Sequence, residues 1–563
     1  MISAIRVLCR LLYSGLFGIL LSAFPVLTAG GQSLFTAPLD TPLYPTGSFA
    51  ELRPAHFHAG IDFGTDGKVG RPVYASAQGW ISRIKVSPSG YGRVIYIDHP
   101  GGFTTVYAHL HALRGDFSAY VDSARLTQKM QEAELFPDSG RFVIGQGDLI
   151  GYSGNSGSSQ GPHLHFEIRE RKSQDPVDPN VFNRFFVDTI KPQLSGLALY
   201  GSEQGYFPLL EVFAADSPET LLAEAEEDTV FISVLAWDPG TKGRNGVADI
   251  RLFSDDSLVF HYRPERFSFN ETRFANAHSD VIDFSGSAQR FHRLHVLPGD
   301  TCSIYRNAGS GAIALNAESD TEVRIEVMDA AGNRTGYRFK LRSAGSENTL
   351  QFERSFIIEY NKPWRYSRGN GLEVTVPAGA LYQHAVMDSS ILMEEVYDEQ
   401  AFIPVLTALD VPLHRAGRFY LPLGDNRRKA WQKLMLMVYE NPRSKTPEAI
   451  LPDSLDGNRL VFPFRKGGWF LPVMDTVPPQ LTQWGELNDP VDAQLRKFVV
   501  VSDSLSGVRS VAVYINEEWV LSDADTKSGR VEWKPSPDFT GPSLVRIELS
   551  DRCGNARFVE WAY

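Results

Sequence analysis

The chain has 563 residues, 43% of them hydrophobic and 22% charged, which is the balance of a soluble globular protein long enough for about four domains. Its formal charge of -12 argues against nucleic acid as the main partner, because a phosphate backbone needs a basic face. Three cysteines in such a length exclude a disulfide framework, and no Cys-x-x-Cys pair offers a zinc site.

Residues 1–31 have the order of a secretory signal peptide. Arg6 and Arg10 give a positive start, an apolar run extends from Leu11 to Leu27, and Ala29, Gly30 and Gly31 supply a small-residue cleavage region. The expectation is an exported protein, periplasmic or extracellular. No cysteine follows the run, which argues against a lipid anchor, and no later segment approaches a membrane span. Cys9 would leave with the signal, so Cys302 and Cys553 remain and read as free or buried thiols.

Residues 34–186 are rich in Gly, His and short β-patterned runs: Val73 to Ser76, Gly79 to Val86, Val94 to Asp98 and Phe103 to His109. They predict a compact antiparallel β-domain. One helix is expected over Phe117 to Phe136, capped by Asp116, with Val121, Ala124, Leu126 and Met130 as its stripe and one wall of the site as its place. The remainder carries a divergent internal repeat. Asp188-Thr-Ile-Lys-Pro-Gln-Leu194 recurs as Asp475-Thr-Val-Pro-Pro-Gln-Leu481, and Val323 to Asp329 with Gly332-Asn333 recurs as Val545 to Asp551 with Gly554-Asn555. Asp238 and Asp503 each precede a Gly-Val pair. The expected architecture is mainly β: modules of the β-sandwich (Ig-like) kind over 188–345, with an insertion around Arg263 to Ile313, and over 475–563, with a third β-rich module over 350–474. They read as spacers or docking surfaces for envelope partners. The aspartates in their loops read as solvated turn residues rather than calcium ligands.

Seven of the thirteen histidines (56, 58, 99, 109, 111, 163 and 165) fall within about a fifth of the chain. His163 and His165, two apart in a β-pattern after Pro162, project to one face. His58 and Asp62 are joined by a bent segment that can bring an imidazole and a carboxylate to one metal, with His56 as the alternative ligand. His109 ends a strand in Tyr107-Ala-His109-Leu110, with His111 as its same-face neighbour. Gly147 to Gly161 is Gly/Ser-rich; without a Gly-Lys-Ser/Thr ending it is not a phosphate loop, and glycine there lets a substrate backbone approach.

Taken together, these pieces resemble the lysostaphin-like, LytM-type zinc endopeptidases that cut peptidoglycan cross-links, whose domain is an antiparallel β-sheet of the duplicated-hybrid-motif type. The resemblance covers about residues 45 to 170. It implies that His58, Asp62 and His165 hold one zinc ion, and that His109 and His163 flank the metal-bound water as catalytic groups. Zinc lowers the pKa of bound water to about 7, one imidazole can take its proton, and the other can stabilise the oxyanion. Which histidine does which is open. Some relatives carry an assisting Tyr just before the first ligand; here Leu52-Arg53-Pro54 stands in its place, with Arg53 as a substitute. The expected substrate is the short peptides of peptidoglycan. The alternatives are a catalytically silent regulator of the cell envelope and an endopeptidase for other extracellular proteins.

Overall fold

The computed structural model describes residues 34–562, apart from 41, 203–205, 215–219, 224–228, 241, 307–308, 317, 344–354, 389–394, 398–399, 408, 410–411, 425–429 and 536–542. The signal segment expected over 1–31 lies outside the described residues. The chain is mainly β, and among the described residues no helix is long and apolar enough to cross a membrane.

The N-terminal segment is built on one antiparallel sheet. Seven of its nine strands are β1 (Pro45–Gly47), β2 (Ile61–Gly64), β3 (Gly79–Val86), β4 (Arg93–Asp98), β5 (Phe103–Ala108), β6 (Ala133–Leu135) and β7 (His163–Glu170), in the order β1-β2-β7-β5-β4-β3-β6, while the short strands Val143–Ile144 and Pro176–Val177 pair with β3 and β7. Alternation sets the two faces of the sheet. Ile61 and Phe63 of β2 and Leu164, Phe166 and Ile168 of β7 point into one apolar core with Tyr107 and Phe117. The intervening residues, Asp62 on β2 and His163, His165, Glu167 and Arg169 on β7, therefore share the opposite face. Register completes the arrangement, because β2 and β7 pair with His165 opposite Asp62.

A single helix, α1 (Gly115–Gln128), packs beside this sheet and is shorter than expected. It stops because Ala133 to Leu135 continue as an edge strand on β3. Asp116 does not cap it: the preceding residue is Arg114, whose guanidinium Asp116 binds. Its buried residues are Phe117, Val121 and Arg125, while Leu126 and Met130 lie exposed. Nor does α1 wall the histidine cluster. It faces the last segment of the chain, where Arg125 Nη2 donates to Asp523 Oδ1 (2.8 Å).

Three two-sheet sandwiches follow, each around its own apolar cluster. The first contains β8 (Gln193–Tyr200), β9 (Thr229–Trp237), β10 (Asp249–Ser254), β11 (Thr321–Met328) and β12 (Arg334–Ser343). The last contains β13 (Gln480–Asn488), β14 (Leu495–Ser502), β15 (Val508–Ile515), β16 (Leu544–Asp551) and β17 (Ala556–Ala562). The internal repeat folds with matching pairings: β8 with β9 as β13 with β14, and β10-β11-β12 as β15-β16-β17. Cys302 and Cys553 are both free and buried.

The segments close into a ring. Phe49, Ala50, Phe57 and Ala59 of the first segment share the core of the first sandwich. Tyr382 OH donates to Arg273 O (2.8 Å), Lys433 Nζ to Asn555 Oδ1 (2.6 Å), and His111 Nε2 meets Asp489 Oδ1 at 3.1 Å on the return to the first sheet. The modules are thus packed on the N-terminal sheet at two places instead of serving as free spacers.

The Gly/Ser-rich run packs mainly against its own chain. A Cβ on Gly154 would fall on the backbone N of His111 and O of His109, whereas Gly161 has no atom within 4 Å of that position. Gly154→Ala should lower stability by about 1–3 kcal/mol through overpacking, and Gly161→Ala should change it by less than about 0.5 kcal/mol. Thermal unfolding of the two variants beside the parent checks this contrast.

Candidate metal centre

The candidate centre forms where the bend before β2 meets β7. His58, Asp62 and His165 are each at most 5% exposed. His58 Nε2 lies 3.0 Å from Asp62 Oδ1 and 2.9 Å from His165 Nδ1, and His165 Nδ1 lies 2.8 Å from Asp62 Oδ1. The outer nitrogens fix the tautomers. His58 Nδ1–H donates to Ser48 O (2.7 Å), and His165 Nε2–H donates to Glu167 Oε1 (2.7 Å). With those protons directed outward, two imidazole lone pairs and one carboxylate oxygen converge on a single point. A proton could bridge only one of the three gaps; a cation satisfies all of them. Bonds of about 2.0–2.1 Å in tetrahedral geometry would space such ligands about 3.3 Å apart, close to what is found. The donor set fits a metal ion.

Burial opposes charge at Asp62, but the charge of His58 and the hydrogen bonds from His163, His165 and His58 hold its carboxyl well below the usual range. At His165, burial is outweighed by Asp62 and Glu167, and its pKa rises to about 9 with no metal present.

The surroundings steer the ligands. Glu167 is fully buried, and its carboxylate accepts from Arg169 Nε (2.5 Å) and Tyr91 OH (2.5 Å) as well as from His165. Although burial alone would raise it, Arg169 and His165 depress it to about 2, so it stays an anion. Carboxylate partners of this kind orient a ligand imidazole. Sequence reasoning did not select Glu167, although the period-2 run His163, His165, Glu167, Arg169 places all four on one face. Arg53 Nη2 donates to Asp62 Oδ2 (2.8 Å), which turns Oδ1 toward the histidines. Its guanidinium is thus engaged by a ligand, and the oxyanion role expected of it finds no support here. His56 is exposed and turns to Pro54 O (2.9 Å), outside the cluster. His111 belongs to the contact with Asp489, and His99 is a buried residue bonded to Gln78 O and Thr105.

His109 and His163 stand beside the three, their rings 4.8 Å apart and edge-on. His109 takes positive φ (59°) at the end of β5, and its Nδ1–H donates to Ser156 O (2.9 Å), leaving Nε2 as a lone pair. Burial and the neighbouring His165 and His163 lower its pKa to about 3. His163 Nδ1–H donates to Gly161 O (2.8 Å), and its Nε2 lies 3.4 Å from Asp62 Oδ1. All five residues line an open groove of about 890 Å³. Phe269 and Thr272 of the insertion in the first sandwich reach this groove, and Thr272 Oγ1 accepts from Phe57 N (3.0 Å). That contribution was not legible in the sequence.

Two ring nitrogens and a carboxylate oxygen converging on one point, with two further imidazoles beside them in an open groove, are the groups that a metal-dependent hydrolase requires. Residues 56–124 and 138–179 match the model of peptidase family M23. Over these residues the chain is similar to that family, the LytM-like peptidases. The segment is 36% identical over 128 residues to a DD-carboxypeptidase/endopeptidase, Mpg, of Neisseria meningitidis, a match spanning 23% of each chain. It is 31% identical over 111 residues to the peptidoglycan DD-endopeptidase ShyA of Vibrio cholerae, spanning 20% of each. The likeness therefore extends over about a quarter of the relatives' length or less. Among solved structures, the catalytic domain of lysostaphin from Staphylococcus simulans matches at 26% identity and TM-score 0.18, over 25% of this chain and 88% of that one. A zinc-containing peptidase from Vibrio cholerae matches at 25% identity and TM-score 0.20, over 28% of this chain and 40% of that one. At such scores these two likenesses carry no weight, and the fold rests on the strand pairings above.

If Glu167 orients His165, Glu167→Gln should weaken metal affinity about 10–100-fold, while His58→Ala and His165→Ala should abolish tight binding. Competition with a chromophoric chelator on the full chain measures all three.

Proposed function

We propose that the chain is an exported zinc endopeptidase that hydrolyses peptide bonds in the stems or cross-bridges of peptidoglycan. In this reading residues 1–31 direct export, residues 34–186 form the catalytic domain, and the segments 188–345, 350–474 and 475–563 are β-modules, Ig-like in the first and last, that support the groove and offer surfaces to envelope partners. His58, Asp62 and His165 hold the zinc, and His109 and His163 are the catalytic residues. The observation that carries it is the convergence of two ring nitrogens and a carboxylate oxygen within 3.0 Å of one another, beside two more imidazoles at an open groove. The substrate class is supported by the relatives named for peptidoglycan or DD-peptide cleavage.

When bound, zinc supplies a Lewis acid that polarises a water molecule and the scissile carbonyl. The chain's own residues do the rest. His109, with its Nδ1 proton held by Ser156 O, offers Nε2 as a neutral base for the proton of the attacking water. His163, with its ring 4.8 Å from that of His109, would meet the charge that develops on the carbonyl oxygen. The groove, bounded by Arg53, Tyr91, Pro162 and Phe269, receives an extended peptide along the ends of β2 and β7.

Purified wall fragments digested by the full chain, with released amines identified by mass spectrometry, provide the test. Cleavage should require zinc, vanish with chelator, and fall about 10²–10⁴-fold in His109→Ala, which retains its metal. Cleavage undiminished in His109→Ala, or retained in the chelated protein, would contradict the reading.

A further inference from the structure

The internal repeat brings together three aspartates that are distant in sequence. Asp188 follows the peptidase segment, Asp238 follows β9, and Asp329 ends β11 in the Asp-x-x-Gly-Asn turn. One carboxylate oxygen from each lies within 4.8 Å of the others. The sequence led to an expectation of solvated turn residues. The structure corrects it: Asp238 is 5% and Asp329 1% exposed.

This cluster is charged and under-satisfied. Asp188 Oδ1 accepts from Ile190 N (3.0 Å), and both oxygens of Asp329 accept from Asn333, through its backbone N (2.9 Å) and its Nδ2 (2.9 Å). Asp238 Oδ1 is buried with no hydrogen-bond partner. Burial, then the nearby Asp188 and Asp329, push the Asp238 carboxyl up to about 6 against the hydrogen bonding of the Gly240 backbone and the Asn245 side chain. A separate residue adds to this. Asn245 is 3% exposed, and both polar atoms of its amide are buried without a partner. It sits directly across a two-bond bridge from Asp238, N to O at 2.9 and 2.8 Å in the two directions, and residues so paired project to one face. The Asn245 amide therefore lies beside the Asp238 carboxyl, with two more carboxylates within reach.

We propose that Asp188, Asp238 and Asp329, with Asn245 Oδ1, form a site for a hard divalent cation, Ca²⁺, that fastens the peptidase segment's exit to the first sandwich. The donors are all oxygens, which suits Ca²⁺ and distinguishes this site from the nitrogen-rich cluster around His58. Three carboxylates, an amide oxygen and waters reach the six to eight oxygens Ca²⁺ takes. The ion would join three strand ends. Asp188 is already tied to the last of them, since Asn333 Nδ2 donates to Asp188 O (3.2 Å) and Ile190 O (3.2 Å).

The second copy of the repeat provides a comparison. Asp475, Asp503 and Asp551 cluster in the same way. There Asp503 Oδ1 accepts from Leu505 N (3.1 Å) and Gly507 N (2.8 Å), Asp475 Oδ2 accepts from Ser506 N (3.1 Å), and the Lys433 ammonium stands at that end on Asn555 Oδ1. More backbone donors and a fixed cation serve that end, so the first copy, with Asp238 Oδ1 buried and unpartnered, is the less satisfied of the two.

Trp237 adjoins Asp238 and offers a sensitiser for a luminescent calcium surrogate, Tb³⁺. The full chain, zinc-loaded and stripped of other cations, should show Trp-sensitised Tb³⁺ emission that Ca²⁺ displaces with an affinity of about 10⁻⁴–10⁻³ M, the range of exported calcium modules. Asp238→Asn and Asp329→Asn should each weaken Ca²⁺ binding at least about tenfold, while Asp503→Asn leaves it unchanged. Melting temperature separates a ligand site from a structural carboxylate. Millimolar Ca²⁺ should raise it in the parent but not in Asp238→Asn, whereas in chelator Asp238→Asn should be no less stable than the parent, because it relieves like-charge crowding. Calorimetric titration of the unaltered chain requires no variant to fold. No Ca²⁺ binding there up to about 10 mM, or equal binding by Asp238→Asn, overturns the proposal.

Discussion

Two imidazole nitrogens and one carboxylate oxygen, held within 3.0 Å of one another, are the constraint on which the rest of the N-terminal segment depends. Three like-minded acceptors repel unless something positive lies between them, so the protein must hold them there by other means. It uses the outer nitrogen of each ring: Ser48 O takes the proton of His58 and Glu167 that of His165. Glu167 can do so only as an anion, and Arg169 and His165 keep it one in a fully buried position. The chain of dependence runs from Arg169 through Glu167 to His165 along one face of a single strand.

The same strand supplies the core. Leu164, Phe166 and Ile168 alternate with the polar residues and anchor β7 in the apolar cluster, so ligand geometry and fold stability are two faces of one element. Moving the β2–β7 register by one residue would send Asp62 into the core and the metal face out of line.

Much of this was legible in the sequence, for identifiable reasons. The period-2 spacing of His163 and His165 needs only strand geometry, and the β-patterned runs are bounded by Gly and Pro. The repeat, too, could be read directly, and its two copies fold with matching pairings. What was not legible depends on long-range contact. The helix ends early because Ala133 to Leu135 find an edge on β3, and Arg125 is buried because Asp523, 398 residues away, meets it. Local propensity cannot report either. That the Arg53 guanidinium binds the back of Asp62 is set by the hairpin Leu52–Phe57, which sequence spacing does not report. Phe269 reaches the groove only because the first sandwich shares a core with Phe49 and Phe57. Burial turned the aspartate turns from solvated loops into an under-satisfied cluster.

The ring of segments makes the modules part of the peptidase's framework, with the insertion at one end of the groove and the last sandwich behind α1. All of it presupposes the ion at the three-residue cluster. X-ray absorption at the zinc edge of the loaded full chain tests this most directly. The account predicts only nitrogen and oxygen donors at about 2.0–2.1 Å, with outer-shell scattering from two imidazoles. A sulfur donor near about 2.3 Å, or an absence of imidazole scattering, would contradict it.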